Sequence, residues 1–544
     1  MAGPLVKNGK TILSGIDPSG RAERVADAVA VKDRTLYFCP SPLYGYGLAR
    51  LLSRLETTAP NSAVLCIEAD PELFDLSKKN IDASLLEKTT LHLTDISDRE
   101  KLCSLVRNRW GERTFRRVEV VRLSGGWQLF SELYDSLCET LRREIASDWS
   151  NALTLAKLGR LYIRNTLRNL SLTTRFSSAS NLSFGSASVL VLGAGPSLDE
   201  TLDELDRHFA QSLRSPESRS FKIICVDTCL CALKDRGIIP DLTVILESQH
   251  WNLRDFIGCR GWNVPSAVDL SSLPASTRLL AGDGYLFFTP WTPLKIFERL
   301  KNMGLLPAVV PPLGSVGLTA VELARRITSG KIICAGIDFS FTPDKYHARS
   351  TPGHRSKLDT QTRLRRILNT APYNDYSTAA VSKSGLSVYT SPSMKNYCNL
   401  FEQEFGGDSR LFDIESDGLP LGIKTLSMET AITLLKTDSQ KSNSSAPVPL
   451  CEKNEGLILF FESEKKRLEE LRSILTGESA ADQRRLALLI DECDYLWAHF
   501  PDCSVSRRPD LTDISFLKRV RAEIDPMLEL IGRRESTNYT NRTN

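Results

Sequence analysis

One stretch constrains this chain more than any other: Ser188-Val189-Leu190-Val191-Leu192 runs straight into Gly193-Ala194-Gly195-Pro196-Ser197-Leu198. A short apolar run bounded by turn formers reads as a buried strand. The glycine-rich turn after it leads into a helix through Leu205. Small residues there let a ligand approach the backbone, and the helix start offers amides with no partner inside the helix. The pattern then repeats. Phe221–Val226 is a strand ending at Asp227, and Cys229–Arg236 is a short helix closed by Gly237. Leu242–Leu246 is a third strand, ending in Glu247-Ser248-Gln249. Gly314-Ser315-Val316-Gly317 opens a helix through Ile327, and Lys331–Ala335 is a strand ending in Gly336-Ile337-Asp338. Strands alternating with helices predict an α/β fold with a parallel, doubly wound sheet. Ligands of such sheets lie beyond the carboxyl ends of the strands, where Gly193, Ala194, Gly195, Pro196, Ser197, Asp227, Glu247, Gln249 and Asp338 all fall.

The 544 residues allow two or three domains. Residues 1–126 read as a Rossmann-like domain: strand Leu36-Tyr37-Phe38, the turn Pro40–Gly47, helix Leu48–Leu55, and strand Ala63–Ile67 ending at Glu68. Its glycines miss the dinucleotide fingerprint, and Pro40 and Pro42 remove backbone donors that a phosphate would use. A degenerate cofactor site is therefore expected, with Glu68 a structural strand end. Residues 127–185 form a helical connector, with Leu129, Leu133, Leu137 and Leu141 in helical register, and a Ser/Thr/Asn-rich linker from 173. The central domain spans 186–435, a polar linker follows at 436–449, and 450–544 carries three helical patterns, Leu457–Leu475, Arg484–Phe500 and Asp513–Ile531.

Composition excludes several classes. A net charge of +3 is too small for a nucleic-acid partner, and no apolar run approaches the ~20 residues of a membrane span. The first residues lack the apolar core of a signal peptide, so a cytoplasmic location is expected. The 13 cysteines include no Cys-x-x-Cys pair, and Cys229-x-Cys231 alone is too small a ligand set, so no metal site is expected.

The strings Gly193–Leu198, strand–Asp227, Gly237-Ile238-Ile239-Pro240-Asp241-Leu242, Leu313–Val316, Ala335–Thr342 and Lys345-Tyr346-His347-Ala348 together resemble the motility-associated factor (Maf) glycosyltransferases. That group shares a domain with the archaeal 6-hydroxymethylpterin pyrophosphokinases (MptE-like). The domain also resembles small bacterial sialyltransferases that use CMP-sugars. The likeness spans roughly residues 30–430. It implies a central nucleotide-sugar domain, a CMP-activated nonulosonic (sialic-acid-like) sugar as donor, and Ser or Thr of flagellin as acceptor. It implies no tightly bound cofactor, and a magnesium requirement stays open.

By the same resemblance, Ala194, Gly195 and Ser197 lie against the cytidine phosphate and ribose, Asp227 hydrogen-bonds the nucleotide, and Gly314 and Ser315 meet it at a helix start. Tyr346 donates to the departing phosphate, with a loop-packing tyrosine as the rival, and Asp338 orients neighbours or caps a turn. The sialyltransferases place a histidine base where this chain has Tyr389-Thr390-Ser391. His347 or His354 is the candidate substitute, with a pKa near neutrality expected for that task and a solvent-exposed loop histidine as the rival reading. Glu247 is followed by Ser248 where the family has Asp-Pro. No Asp-x-Asp occurs, which disfavours metal-bridged donor binding. Two further readings stand beside the transferase: a pterin pyrophosphokinase, and a non-catalytic flagellar chaperone or assembly factor.

Overall fold

The computed structural model describes residues 4–111, 113–364, 366–367, 377–437, 448–451, 455–477, 482–501, 503 and 509–540. Of the polar linker proposed at 436–449, residues 438–447 lie outside them. The chain divides into two compact units: residues 1–159 with 497–512, and residues 160–496 with 513–544.

The first unit begins with an antiparallel pair, β1 (Leu5–Lys7) and β2 (Lys10–Leu13), then α1 (Pro18–Ala28). Its sheet is formed by β3 (Thr35–Pro40), β4 (Ala63–Ile67), β5 (Leu91–Thr94) and β6 (Arg117–Val120), parallel throughout in the order β5-β4-β3-β6. Helices α2 (Leu48–Thr58), α3 (Pro71–Asn80), α4 (Ala83–Leu86) and α5 (Arg99–Trp110) connect the strands. Every residue of β3 and β4 is buried, as expected for strands covered on both faces. Helix starts follow local chemistry. Asp70 accepts from the amides of Glu72 and Leu73 ahead of Pro71, and Asp98 accepts from Lys101. Helix α6 (Ser131–Asn169) contains the division between the units.

The strand order of this sheet reverses between β3 and β6, where a doubly wound fold would hold a cofactor. Here the crevice is filled by the chain itself. Ser41 Oγ donates to Glu68 Oε2 at 2.7 Å, Tyr134 donates to Glu68 Oε1 at 3.2 Å, and Ser124 Oγ donates to the Ser41 carbonyl at 2.6 Å. A Cβ on Gly126 would lie 2.1 Å from Ser41 Oγ. Glu68 is fully buried, and that burial pushes its pKa up to about 7 against the pull of its two hydroxyl donors.

The second unit is built on β7 (Ser177–Ser178), β8 (Val189–Leu192), β9 (Lys222–Val226), β10 (Leu242–Ile245), β11 (Ser266–Asp269), β12 (Gly284–Phe288), β13 (Ala308–Val309), β14 (Ile332–Ala335), β17 (Leu411–Ile414) and β18 (Lys424–Leu426), with the hairpin β15 (Thr378–Val381) and β16 (Ser387–Thr390) beside them. The main sheet runs β13-β12-β11-β10-β9-β8-β14-β17-β18, and β7 joins at β12. All of its pairings are parallel. The connecting helices are α7 (Leu198–Phe209), α8 (Leu230–Asp235), α9 (Lys295–Asn302), α10 (Val316–Ile327), α11 (Pro352–Asp359), α12 (Pro392–Phe405) and α13 (Met428–Thr437). Helices α14 (Glu455–Thr476), α15 (Gln483–Glu492) and α16 (Ile514–Thr540) belong to the same unit. Arg299 of α9 grips the buried Glu464 of α14 through two bonds of 2.6 and 3.1 Å, which ties the C-terminal helices to the sheet layer.

The stretch from 173 that composition marks as a linker is packed instead. Ser177 and Ser178 pair with β12, and Ala179, Leu182 and Phe184 are buried. Its few apolar side chains point inward, and its serines satisfy backbone groups at the sheet edge: Ser178 Oγ accepts from the amide of Ala308.

Candidate functional site

The sheet order of the second unit reverses between β8 and β14, and the loops leaving these two strands touch. Gly193 N donates to the Ala335 carbonyl and Gly195 N to that of Gly336, both at 2.8 Å. A Cβ at Gly193 would meet the Gly336 oxygen at 2.4 Å, and one at Gly195 would meet Asp338 Oδ2 at 2.4 Å. The turns therefore require glycine for close approach, and Gly336 needs it also for its φ of +68°.

Beside these turns lies a cavity of about 160 Å³, lined by Gly193, Ala194, Gly195, Ser315, Val316, Gly317, Gly336–Ser340, Tyr346 and His347, with Val226, Thr228 and Met394 completing the wall. The structure thus brings together Gly193, Ala194, Gly195, Ser315, Asp338, Tyr346 and His347, which stand far apart in sequence. The other expected residues stand back. Pro196 and Ser197 lie behind the glycine turn, Gly314 abuts Tyr397, Glu247 is exposed, and Gln249 is half-buried at the end of β10. Glu247 accepts from the Gln249 amide at 2.8 Å, a local turn bond.

The two helix starts at the cavity differ. At α7, the carboxylate of Asp338, only 4% exposed, already occupies the anion position: it accepts from Ser197 N at 2.8 Å and from Ser197 Oγ at 2.5 Å. Burial raises the pKa of Asp338, and the Ser197 bonds oppose the rise. At α10, Ser315 is the N-cap residue but its side chain makes no capping bond, and the first-turn residues Val316 and Gly317 face the cavity. This helix start is the open one.

Asp227 is 2% exposed and does not line the cavity. It accepts from the amide of Thr228 at 2.9 Å and from Asn252 Nδ2 at 2.7 Å, so it positions Thr228, which does line it. Burial, then the neighbouring Asp255, lifts its pKa to about 7.

The 342–350 loop is pinned to the glycine turn. Ala348 N donates to the Ala194 carbonyl at 3.0 Å, and Lys345 reaches Asp199 at 2.9 Å. This holds Tyr346 stacked on Phe341, with ring centroids 4.0 Å apart. Phe341 in turn exchanges two backbone bonds with Tyr389 and stacks on its ring. The Tyr389-Thr390-Ser391 segment is thus occupied with structure: Thr390 Oγ1 donates to the Phe339 carbonyl at 2.8 Å, and Ser391 caps α12.

The Tyr346 hydroxyl is buried and has no hydrogen-bond partner among the described residues. A buried hydroxyl left unpaired is costly, and one at a cavity wall is set for a ligand. His347 departs from expectation: burial first, then the charge of Lys357, pushes its pKa down to about 4, not near neutrality. His354 is buried in α11 and its pKa is also lowered by burial.

Sequence reading missed three contributors. Thr228 and Met394 carry no motif. Lys357 sits on α11 with its Nζ 3.0 Å from the Tyr346 ring centroid. Its signal was present in Thr351-Pro352, a cap followed by proline, which starts a helix and sets His354 and Lys357 three residues apart on one face.

A wider, open hollow of about 610 Å³ in the first unit is lined by Val25, Val120, Arg122, Asp135, Cys138, Glu139 and Arg142. Its cations are already engaged, Arg122 with Asp135 and the Trp127 ring, Arg142 with Glu139. No helix among the described residues is long and apolar enough to cross a membrane.

Comparison with known proteins places this architecture. Residues 164–344 match the family model described as 6-hydroxymethylpterin diphosphokinase MptE-like. An uncharacterized protein of Treponema pallidum (strain Nichols) is 28% identical over 537 residues, covering 94% of this chain and 90% of that protein. The solved structure of a Maf glycosyltransferase from Magnetospirillum magneticum AMB-1 superposes with a TM-score of 0.52 at 14% identity, covering 99% of this chain and 85% of that one. The chain thus carries an MptE-like domain at residues 164–344, within a fold similar to that of the Maf glycosyltransferase.

Proposed function

We infer that this protein is a glycosyltransferase that moves a nonulosonic sugar from a CMP donor to Ser or Thr hydroxyls of flagellin. The observation that carries the reading is the convergence at one cavity of the open α10 start, the Gly193–Gly195 turn and the unpartnered Tyr346 hydroxyl. A nucleotide monophosphate fits those donors. Its phosphate accepts from the amides of Val316 and Gly317. As the bond from the sugar's anomeric carbon to the phosphate oxygen breaks, that oxygen, gaining negative charge, accepts a hydrogen bond from the Tyr346 hydroxyl, which keeps its proton. His347, neutral at pH 7 because of its low pKa, has a lone pair for the acceptor's hydroxyl proton. The Maf fold supports the transferase class, while donor and acceptor come from the motif resemblance.

The family match favours a second reading, transfer of a diphosphate from ATP to a hydroxymethylpterin. Incubation of the purified chain with flagellin and a CMP-nonulosonic sugar, read by intact mass, separates the two. A gain in flagellin mass of whole sugar residues, lost in Ser315→Trp, supports the transferase. Formation of a pterin diphosphate from ATP, with no sugar transfer, overturns it. A third reading, a flagellar chaperone or assembly factor of the same fold, predicts neither product.

A further inference from the structure

We propose that Lys357 is the cation that holds the donor's phosphate beside the hydroxyl of Tyr346. The inference rests on the nucleotide reading of the cavity and adds a residue that neither the glycine turns nor the helix starts supply.

The geometry comes first. The Tyr346 ring is sandwiched: Phe341 stacks against it at 4.0 Å, and the Lys357 amine stands 3.0 Å from its centroid, which leaves the two on opposite faces. The ring thus fixes the amine beside a side chain that lines the cavity and whose buried hydroxyl has no partner among the described residues. The Lys357 amine makes no salt bridge or hydrogen bond among the described residues, although the residue is half-buried. Its neighbours in sequence do find carboxylates: Arg355 pairs with Asp235, and Lys345 with Asp199. A partly buried ammonium resting only on an aromatic face lacks the anion that would offset its desolvation. The same burial pulls its pKa down to about 8, and a bound anion would reverse that.

The anion must come from outside, because the other charged groups at this spot are basic or committed. His347 and His354 offer no negative charge, Asp199 serves Lys345 and the Arg349 amide, and Asp338 serves Ser197. A phosphate seated at the α10 start and within reach of Tyr346 satisfies the amine, the hydroxyl and the helix amides together. Lysine suits the task as a compact point charge on a flexible stem.

Titration calorimetry with CMP and with cytidine, on the wild type, Lys357→Met and Lys357→Arg, tests this. The expected result is that Lys357→Met weakens CMP binding by about 10- to 100-fold, the loss of one charge-assisted bond, and leaves cytidine binding unchanged. Lys357→Arg should recover most of the difference. Equal CMP affinity in wild type and Lys357→Met overturns the assignment of Lys357 while leaving the nucleotide site standing. A wild type that binds neither ligand overturns the nucleotide reading itself, and the assignment with it. Because Lys357→Met can also disturb α11, the wild type is labelled with an amine-directed acylating reagent as a second measurement. CMP, and not cytidine, should protect Lys357; equal labelling with both contradicts the proposal.

Discussion

At the scale of single residues, the site is defined by atoms that have partners and atoms that do not. Asp338 is spent on Ser197, Asp227 on Thr228 and Asn252, while among the described residues the Tyr346 hydroxyl has no partner and the start of α10 has no side-chain cap. Tyr346→Phe is therefore expected to lower kcat by about 10²-fold with little change in KM, since the bond it removes strengthens only as the phosphate departs. Steady-state kinetics of sugar transfer check this, and an equal rise in KM would assign Tyr346 to ground-state binding instead. Gly195→Ala drives a methyl group into Asp338, so it should cost about 1–3 kcal/mol and lower the urea midpoint. The need for glycine at 193 and 195 was legible, because strand–Gly-x-Gly–helix has a single physical meaning. The buried state of Asp227 was not legible: an acid at a strand end looks the same whether it faces a ligand or holds the next residue's amide.

At the scale of elements, the end of α6 performs a task its leucines conceal. Asn165 donates to the carbonyls of Ser248 and Ser271, and Asn169 to those of Leu270 and Ser272. Two asparagines one helical turn apart thus tie together the loops leaving β10 and β11. Asn165→Ala strands two buried acceptors at about 1–3 kcal/mol each, and chemical denaturation should show a loss of at least that of one bond. The alternation of strands and helices from 188 to 246 and from 314 to 335 was readable from apolar runs and turn residues. Strands β11 and β13 were not. Ser266-Ala267-Val268-Asp269 is half polar, and Ala308-Val309 is two residues long, so neither carries a period. They become strands because neighbouring strands offer a free edge.

For the whole molecule, buried acids set the pH response. Glu68, Asp227 and Asp494 have pKa values raised to about 7, and Asp255 and Asp413 to about 6, in each case chiefly by burial. In the unfolded chain these groups release their protons near pH 4. Between about pH 4 and 7 the folded state holds more protons, so their contribution is complete below the unfolded values and is lost as pH rises through the folded ones. Glu68→Gln, which mimics the protonated acid among Ser41 and Tyr134, should raise the denaturation midpoint at pH 8 and leave it nearly unchanged at pH 4.5. An equal effect at both values contradicts the assignment.

The central claim is that the cavity between β8 and β14 receives a cytidine monophosphate group. Thermal unfolding of the purified protein with CMP, with ATP and magnesium, or with neither tests it most directly, because a ligand of the folded state alone raises the midpoint once its concentration exceeds Kd. The account predicts a rise with CMP that Ser315→Trp abolishes. A rise with ATP alone, or no rise with either, contradicts it.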